Sequence, residues 1–456
     1  MNRIAKRSFT VTLLALFLLG GFIFFLVEYG MNASQWAVSD SSPHVYDDES
    51  FQSGTVFDRD GNILLEMGNV WTYSSNEQIR KATMHWIGDR EGNIQVPAVP
   101  SGGDDTLEFD PINGIYSYGN IKTEEGTVQL TISAQLQAVA LEAMNGRKGT
   151  VGVYNYKTGE ILCAVTTPTY DPDNVPDVKA DPVTYDGVYV NRFIMGYYPP
   201  GSIFKVVTLA AALEELPNAP QLVFTCTGSW GGGEYPVTCQ SVHGTQSLKD
   251  AFCNSCNCAF AELSGMLGAD TLEWYVKKFG VTDVIRFDGL TTAAGKFEKA
   301  DNPVGLAWSG IGQYTDIINP CAYMTFMGAI ANGGSGAMPY VIAEADNGQS
   351  TYNAQTAYGG AVISQQTAKT LQEYLRYNVT AKYGAGYFPG MTVGAKTGTA
   401  EKDGGVTPNA MFTGVVLDEA YPLAFIVCVE EGGYGASTCI PIASKVLTAC
   451  KALIDG

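Results

Sequence analysis

Histidine is scarce in this chain of 456 residues: there are three, His44, His85 and His243, far apart and in unrelated surroundings. A Ser-His-Asp triad or a histidine-rich metal site has little to build on. Serine-based acyl chemistry here would need lysine as its base. Charge is sparse too. Only 16% of residues are Asp, Glu, Lys or Arg, and 27 basic against 46 acidic residues leave a net charge of -19. That balance argues against nucleic acid as a partner. Repeats at solenoid periods, heptads and a long disordered tail are lacking as well, which removes repeat arrays and coiled coils. The length permits a large core and more than one domain.

The most apolar run is N-terminal. Val11 to Val27 carries no charge, follows Arg3, Lys6 and Arg7, and precedes Glu28, Asp40, Asp47 and Asp48. With Phe9 and Thr10 the run is about long enough to cross a bilayer, and the charge asymmetry puts the first residues in the cytoplasm and the remainder outside. A cleaved signal peptide is the competing reading; the length of the run and the lack of an A-x-A site favour an uncleaved anchor.

Chemistry is concentrated in YYPPGSIFKVVTLAAALEE, residues 197–215. Pro199, Pro200 and Gly201 force a turn, and Ile203, Val206, Val207, Ala210 and Ala211 then recur at the spacing of a half-buried helix. Ser202 falls at the helix start, and Lys205, three residues on, shares its face. A serine nucleophile with an amine base fits this placement. Unpaired N–H groups at the helix start suit an oxyanion. An N-cap serine beside a solvated lysine is the plainer alternative for S-x-x-K taken alone.

Around this stretch the chain divides in three: a short tail and anchor over 1–30, a polar, turn-rich membrane-proximal region over 31–125, and a compact domain over 126–456. In the middle part GTVFDRDGNILLEM reads as a hairpin around Asp60-Gly61. In the third, strands are expected in GTVGVYNYKTGEILCAVTTPTYDP, helices over 248–266, 269–279 and from about Pro320, and three late strands in MTVGAKTGTAE, NAMFTGVVLD and YPLAFIVCVEE. A last helix is expected over about 440–454. The fold class is α+β: a mainly antiparallel sheet flanked by helices, preceded by a small sheet-containing domain.

Two further triplets stand at informative places. Ser255-Cys256-Asn257 lies 53 residues after Ser202, and Lys396-Thr397-Gly398, followed by Thr399, lies on the first late strand. Gly398 removes a side chain where a ligand backbone would approach, and an edge strand can hold an extended peptide. Both triplets have look-alikes: Ser74-Ser75-Asn76 lies far before the nucleophile, and Lys157-Thr158-Gly159 sits at a turn. Among ten cysteines, Cys226 and Cys239 flank a Gly-rich loop and either bridge it or stay free. Cys253, Cys256 and Cys258 are read as small buried residues, because no Cys or His pair stands nearby at zinc-ligand spacing. No metal and no cofactor are expected.

The order S-x-x-K, S-x-N, K-T-G resembles the penicillin-binding proteins. So do RFIMGYYPPGSIFKVVTLAAALE, CNSCNCAFAELS, SGIGQYTDIINPCAYMTFMGAIANGG and GAKTGTAE, while GTVFDRDGNILLE resembles the ectodomain opening of the monofunctional, class B branch. The resemblance implies a D,D-transpeptidase that crosslinks peptidoglycan stem peptides through an acyl-enzyme on Ser202 and is inhibited covalently by β-lactams. Lys205 is implied as base, Ser255 and Asn257 as proton relay and substrate ligands, and the N–H groups of Ser202 and Thr399 as oxyanion hole. Lys396, Thr397 and Thr399 would bind the terminal carboxylate. It further implies a single-pass plasma-membrane protein with its catalytic domain outside a bacterial cell, working beside a polytopic glycosyltransferase of the shape, elongation, division and sporulation (SEDS) family. A carboxypeptidase, a β-lactamase-like hydrolase and a non-catalytic β-lactam-binding scaffold are the alternatives.

Overall fold

A computed structural model describes residues 2–37, 54–67, 71–90, 92–94, 126–232, 235–346, 351–401 and 405–456. Most of the expected membrane-proximal region, including 38–53 and 95–125, lies outside the described residues.

The central element is a five-stranded sheet in the spatial order Val393–Ala400, Asn409–Val416, Leu423–Val429, Gly149–Asn155, Ile161–Thr167, with every neighbouring pair antiparallel. Along Leu423–Val429 alternate residues serve opposite cores. Leu423, Phe425 and Val427 face one with Ile440, Val446 and Leu447, while Ala424, Ile426 and Cys428 join Tyr323 and Met324 in the other. Period-two alternation with both faces covered makes this run continuously apolar. The helix Gly435–Asp455 supplies the first cover. It is long and apolar enough to cross a membrane, but its side chains at Cys439, Ile440, Val446 and Leu447 are buried against the sheet, as in a core helix. Pro320–Ala331, started by the Asn319 cap, covers the other face.

The three late strands, the strand pair around Lys157-Thr158-Gly159, and the helices Ala269–Lys278 and Pro320–Ala331 stand where the sequence placed them. The expected helix over 248–266 is broken in two, Leu248–Cys253 and Asn257–Leu267. The break falls at Ser255, whose φ of 55° is left-handed, a conformation that ends a helix and costs a non-glycine residue energy. The helix Gln365–Asn378, which the sequence reading passed over, packs beside Val393–Ala400.

A second sheet has six strands in the order Thr351–Asn353, Ile342–Asp346, Gly126–Leu130, Gly54–Phe57, Ile63–Met67, Thr72–Tyr73. Gly54–Phe57 runs parallel to Gly126–Leu130, so residues on both sides of the expected boundary at 126 share one sheet. The 54–67 hairpin forms as expected, its turn tied by Asp58 Oδ1, which accepts from the N–H groups of Asp60 and Asn62 at 2.9 and 2.7 Å. Asn76, from the look-alike triplet, caps the helix Glu77–Ile87. That helix docks on the domain of the five-stranded sheet through Trp86 Nε1, which donates to Ala164 O at 2.6 Å, and His85 Nε2, 2.7 Å from Val188 O. At the N-terminus, Asn2–Ala37 is one helix whose side chains from Val11 to Val27 are exposed.

Candidate active site

Ser202 stands in a 3₁₀ turn, Gly201–Phe204, that runs directly into the α-helix Lys205–Glu215. Side chains three apart eclipse in 3₁₀ geometry, which places Lys205 Nζ 2.7 Å from Ser202 Oγ. The turn is held from two sides. Gly201 N–H donates to Gly312 O at 2.9 Å, and Tyr323 Oη donates to Ile203 O at 2.7 Å. Gly201 has φ of 53°, and a Cβ there would come within 2.5 Å of Thr399 O. Only glycine lets the Ser202 turn lie this close to the Val393–Ala400 strand.

The break in the 248–267 helical stretch brings the S-x-N motif onto the same lysine. Lys205 Nζ donates to Asn257 Oδ1 at 2.7 Å and to Ser255 Oγ at 3.4 Å. Asn257 Nδ2 donates to Thr238 O at 2.7 Å, which orients the amide. Lys396 Nζ reaches the same hydroxyl from the opposite wall, donating to Ser255 Oγ and to Thr397 O at 3.0 Å each. Ser255 thus bridges two lysines. Thr397 is set by Tyr383 Oη, which lies 3.2 Å from its N–H and 3.1 Å from its Oγ1. Thr399 lies beside the helix start at Gly435, whose N–H is 3.5 Å from Thr399 Oγ1. The expectation that Gly398 clears space for a ligand needs correction. A Cβ on Gly398 would meet Ile203 Cγ2 and Pro200 O at 3.0 Å, so its bareness serves the packing of the strand on the Ser202 turn.

Both lysines are fully buried. Burial brings the Lys205 pKa down to about 7; the thiols of Cys239 and Cys256 oppose the shift and the Lys382 ammonium adds to it. Lys396 is pushed well down by burial and then by Lys205 and Lys382. Lys382 is the cation that acts on Lys205, and the repulsion between the two buried amines shows at Lys396. The aromatic faces of Phe260 and Phe252, each 5.9 Å from one ammonium, take the place of water there.

These groups open into a cleft of about 730 Å³ lined by Ser202, Ser255, Asn257, Thr397, Gly398 and Thr399. All eight residues singled out from the sequence meet around it. The sequence reading missed Lys382, Tyr383, Trp308, Gln313, Glu401 and Tyr434 on the same walls. They come from loops and helix ends with no local signature; only Lys382 and Tyr383, at the end of a π-helical turn over Val379–Tyr383, had a structural hint, one invisible to periodicity. The Cys226–Cys239 bridge is not formed, and all ten cysteines are free. Cys239 Sγ turns instead toward Cys256 Sγ at 3.7 Å and Cys258 Sγ at 3.5 Å.

Residues 149–448 match the family model for the penicillin binding protein transpeptidase domain. Over 363 residues the chain is 31% identical to the peptidoglycan D,D-transpeptidase PbpA of Mycobacterium tuberculosis, covering 71% of this chain and 72% of that protein. The chain is a class B penicillin-binding protein. Within the family it also shares 30% identity over 345 residues with stage V sporulation protein D of Bacillus subtilis, covering 70% of this chain and 52% of that protein. Among solved structures, the penicillin G acyl-enzyme complex of penicillin-binding protein A from M. tuberculosis superposes with a TM-score of 0.74 at 25% identity, covering 88% of this chain and 99% of that one. The D,D-transpeptidase domain of a peptidoglycan glycosyltransferase from Eggerthella lenta does so with 0.73 at 25%, covering 88% and 98%.

Proposed function

We propose that this penicillin-binding protein is a peptidoglycan D,D-transpeptidase whose acyl-enzyme forms on Ser202. The observation that carries the reading is Lys205 Nζ, buried and 2.7 Å from both Ser202 Oγ and Asn257 Oδ1. With its pKa brought down to about 7, a substantial fraction of this amine is neutral near neutral pH and able to take a proton. Lys205 removes the Ser202 proton as Oγ attacks the carbonyl of the penultimate D-alanine. The N–H groups of Ser202 and Thr399 receive the oxyanion, each donor worth about 3 kcal/mol in such sites. Ser255, within reach of both lysines, passes the proton to the departing D-alanine nitrogen. An amine of a second stem peptide then attacks the ester, gives its proton back along the same path, and frees Ser202.

Lys396, Thr397 and Thr399 hold the donor's terminal carboxylate, whose negative charge restores the proton affinity that burial takes from Lys396. A β-lactam occupies the same groups and acylates Ser202. Residues 1–30 serve as tail and membrane anchor, 31–125 as the membrane-proximal region and 126–456 as the catalytic domain, with the cleft outside the cytoplasm and a SEDS-family glycosyltransferase as partner. The exposed apolar side chains from Val11 to Val27 support the anchor. The test is covalent labelling of the full chain in detergent with a fluorescent penicillin, beside Ser202→Ala, followed by a chase. A stable label on wild type alone is expected; a label that fades within minutes would mean a hydrolase, and no label on folded protein a scaffold.

A further inference from the structure

Beside the catalytic cleft, three separate segments converge their softest donors on one point. Cys226 ends the strand Val223–Cys226, Cys239 and His243 come from the loop after Val237–Thr238, and Cys256 caps the helix Asn257–Leu267. One donor atom from each of these four residues lies within 4.8 Å of the other three. The Cys239–Cys256 sulfur separation of 3.7 Å matches the edge of a tetrahedron with zinc–sulfur bonds of about 2.3 Å.

The histidine is already oriented. Ser241 Oγ lies 3.2 Å from His243 Nε2 and can accept a ring proton there, the tautomer that leaves the lone pair on Nδ1. Nδ1 is buried and has no hydrogen-bond partner, an unmet group that a metal would satisfy. Two of the sulfurs already accept backbone donors. Cys258 N–H donates to Cys239 Sγ at 3.3 Å, and Ala259 N–H to Cys256 Sγ at 3.5 Å, both from the first turn of a helix, where negative charge is favoured.

We propose that Cys226, Cys239, His243 and Cys256 bind one Zn²⁺, and that this ion braces the Ser255-Cys256-Asn257 turn against the Thr238–His243 loop. Three thiolates with one imidazole form a closed set that suits zinc over harder cations. Binding needs no oxidant: each thiol that ligates gives its proton to solvent. Cys256 lies between the two relay residues, and Asn257 Nδ2 is anchored on Thr238 O, one residue before Cys239. The ion therefore fixes both ends of the contact that orients Asn257 toward Lys205. The bracing half rests on the function proposed above, whereas the metal half stands on the ligand geometry alone.

The test uses the full chain, purified in detergent without chelator and with reductant, with metal content measured by mass spectrometry. About one zinc per chain is expected, falling below one tenth in Cys239→Ser and His243→Ala and unchanged in Cys450→Ser. Replacement by Co²⁺ should give a thiolate-to-cobalt charge-transfer band. Stripping the metal should expose three additional reactive thiols, lower the melting temperature and slow acylation of Ser202 by about tenfold or more, with Zn²⁺ restoring all three. Protein that carries no zinc and gives no cobalt band, or that holds a Cys226–Cys239 disulfide as purified, overturns the metal site. Acylation at an unchanged rate after stripping overturns the bracing. A zinc-free chain that is still acylated on Ser202 refutes this inference alone, while a zinc-bound chain that never acylates refutes the functional reading alone.

Discussion

At the scale of single residues the proposed chemistry turns on Lys205, whose proton affinity is set by burial. Removing the amine should lower the rate of acylation by penicillin about 100-fold or more, read by stopped-flow labelling of Lys205→Ala against wild type; near-normal acylation would refute its role as base. Because the amine must be neutral to act, acylation should rise with pH through about 7, the value to which burial brings Lys205. In Lys382→Ala, which loses a cation acting on that amine, the inflection should move upward; no movement would show Lys382 to be ineffective. These groups were legible in the sequence because S-x-x-K, S-x-N and K-T-G each travel as short strings whose order is informative. Lys382 and the Cys–His cluster were not. The first has no motif, and the second draws its members from residues 226, 239, 243 and 256, a spread that ligand-pair spacing does not detect.

The elements owe their arrangement to backbone positions as much as to side chains. The Ser202 turn, the Val393–Ala400 strand and the Gly310–Gly312 segment touch through glycines, with Gly201 against Thr399 O and Gly312 against Gly201 O, where Cβ atoms would lie 2.5 and 2.3 Å away. Gly201→Ala should therefore destabilise the fold by about 1–3 kcal/mol and slow acylation more than its stability loss accounts for. Denaturant melts paired with acylation rates distinguish this from a purely structural role, which would leave the rate of the folded fraction unchanged. Elements with one dominant pattern were legible from sequence: the unbroken apolar run Leu423–Val429 between turns, and the i, i+3, i+4 apolar recurrence after Ser202, whose helix is buried all round over 205–212 rather than on one side. The break at Ser255 was not, because apolar residues on both sides of the weak helix formers Asn254, Ser255 and Asn257 continue a helical recurrence; in the fold the left-handed serine that splits it contacts Lys205 and Lys396.

For the whole molecule, the open question was how the region before residue 126 joins the rest. Sequence composition suggested a separate unit, but pairing of Gly54–Phe57 with Gly126–Leu130 depends on contacts far apart in the chain that local patterns do not encode. The helix Glu77–Ile87 seals this junction with His85, whose imidazole burial holds neutral, at a pKa of about 4. An unfolded histidine binds its proton near pH 6.5, so between pH 6.5 and 4 the unfolded chain holds the extra proton and stability falls as pH falls. That loss amounts to about 3 kcal/mol by pH 4. His85→Gln should flatten this part of the stability profile relative to wild type, measured by urea melts from pH 7 to 4; parallel profiles would contradict the assignment.

The central claim concerns Ser202, and intact-protein mass spectrometry tests it most directly. After penicillin G is added to the full chain, the account predicts a mass increase of one intact penicillin, mapped by peptide digestion to Ser202, absent in Ser202→Ala and persisting for many minutes. An adduct on another residue, or one hydrolysed within seconds with steady release of penicilloate, would contradict it.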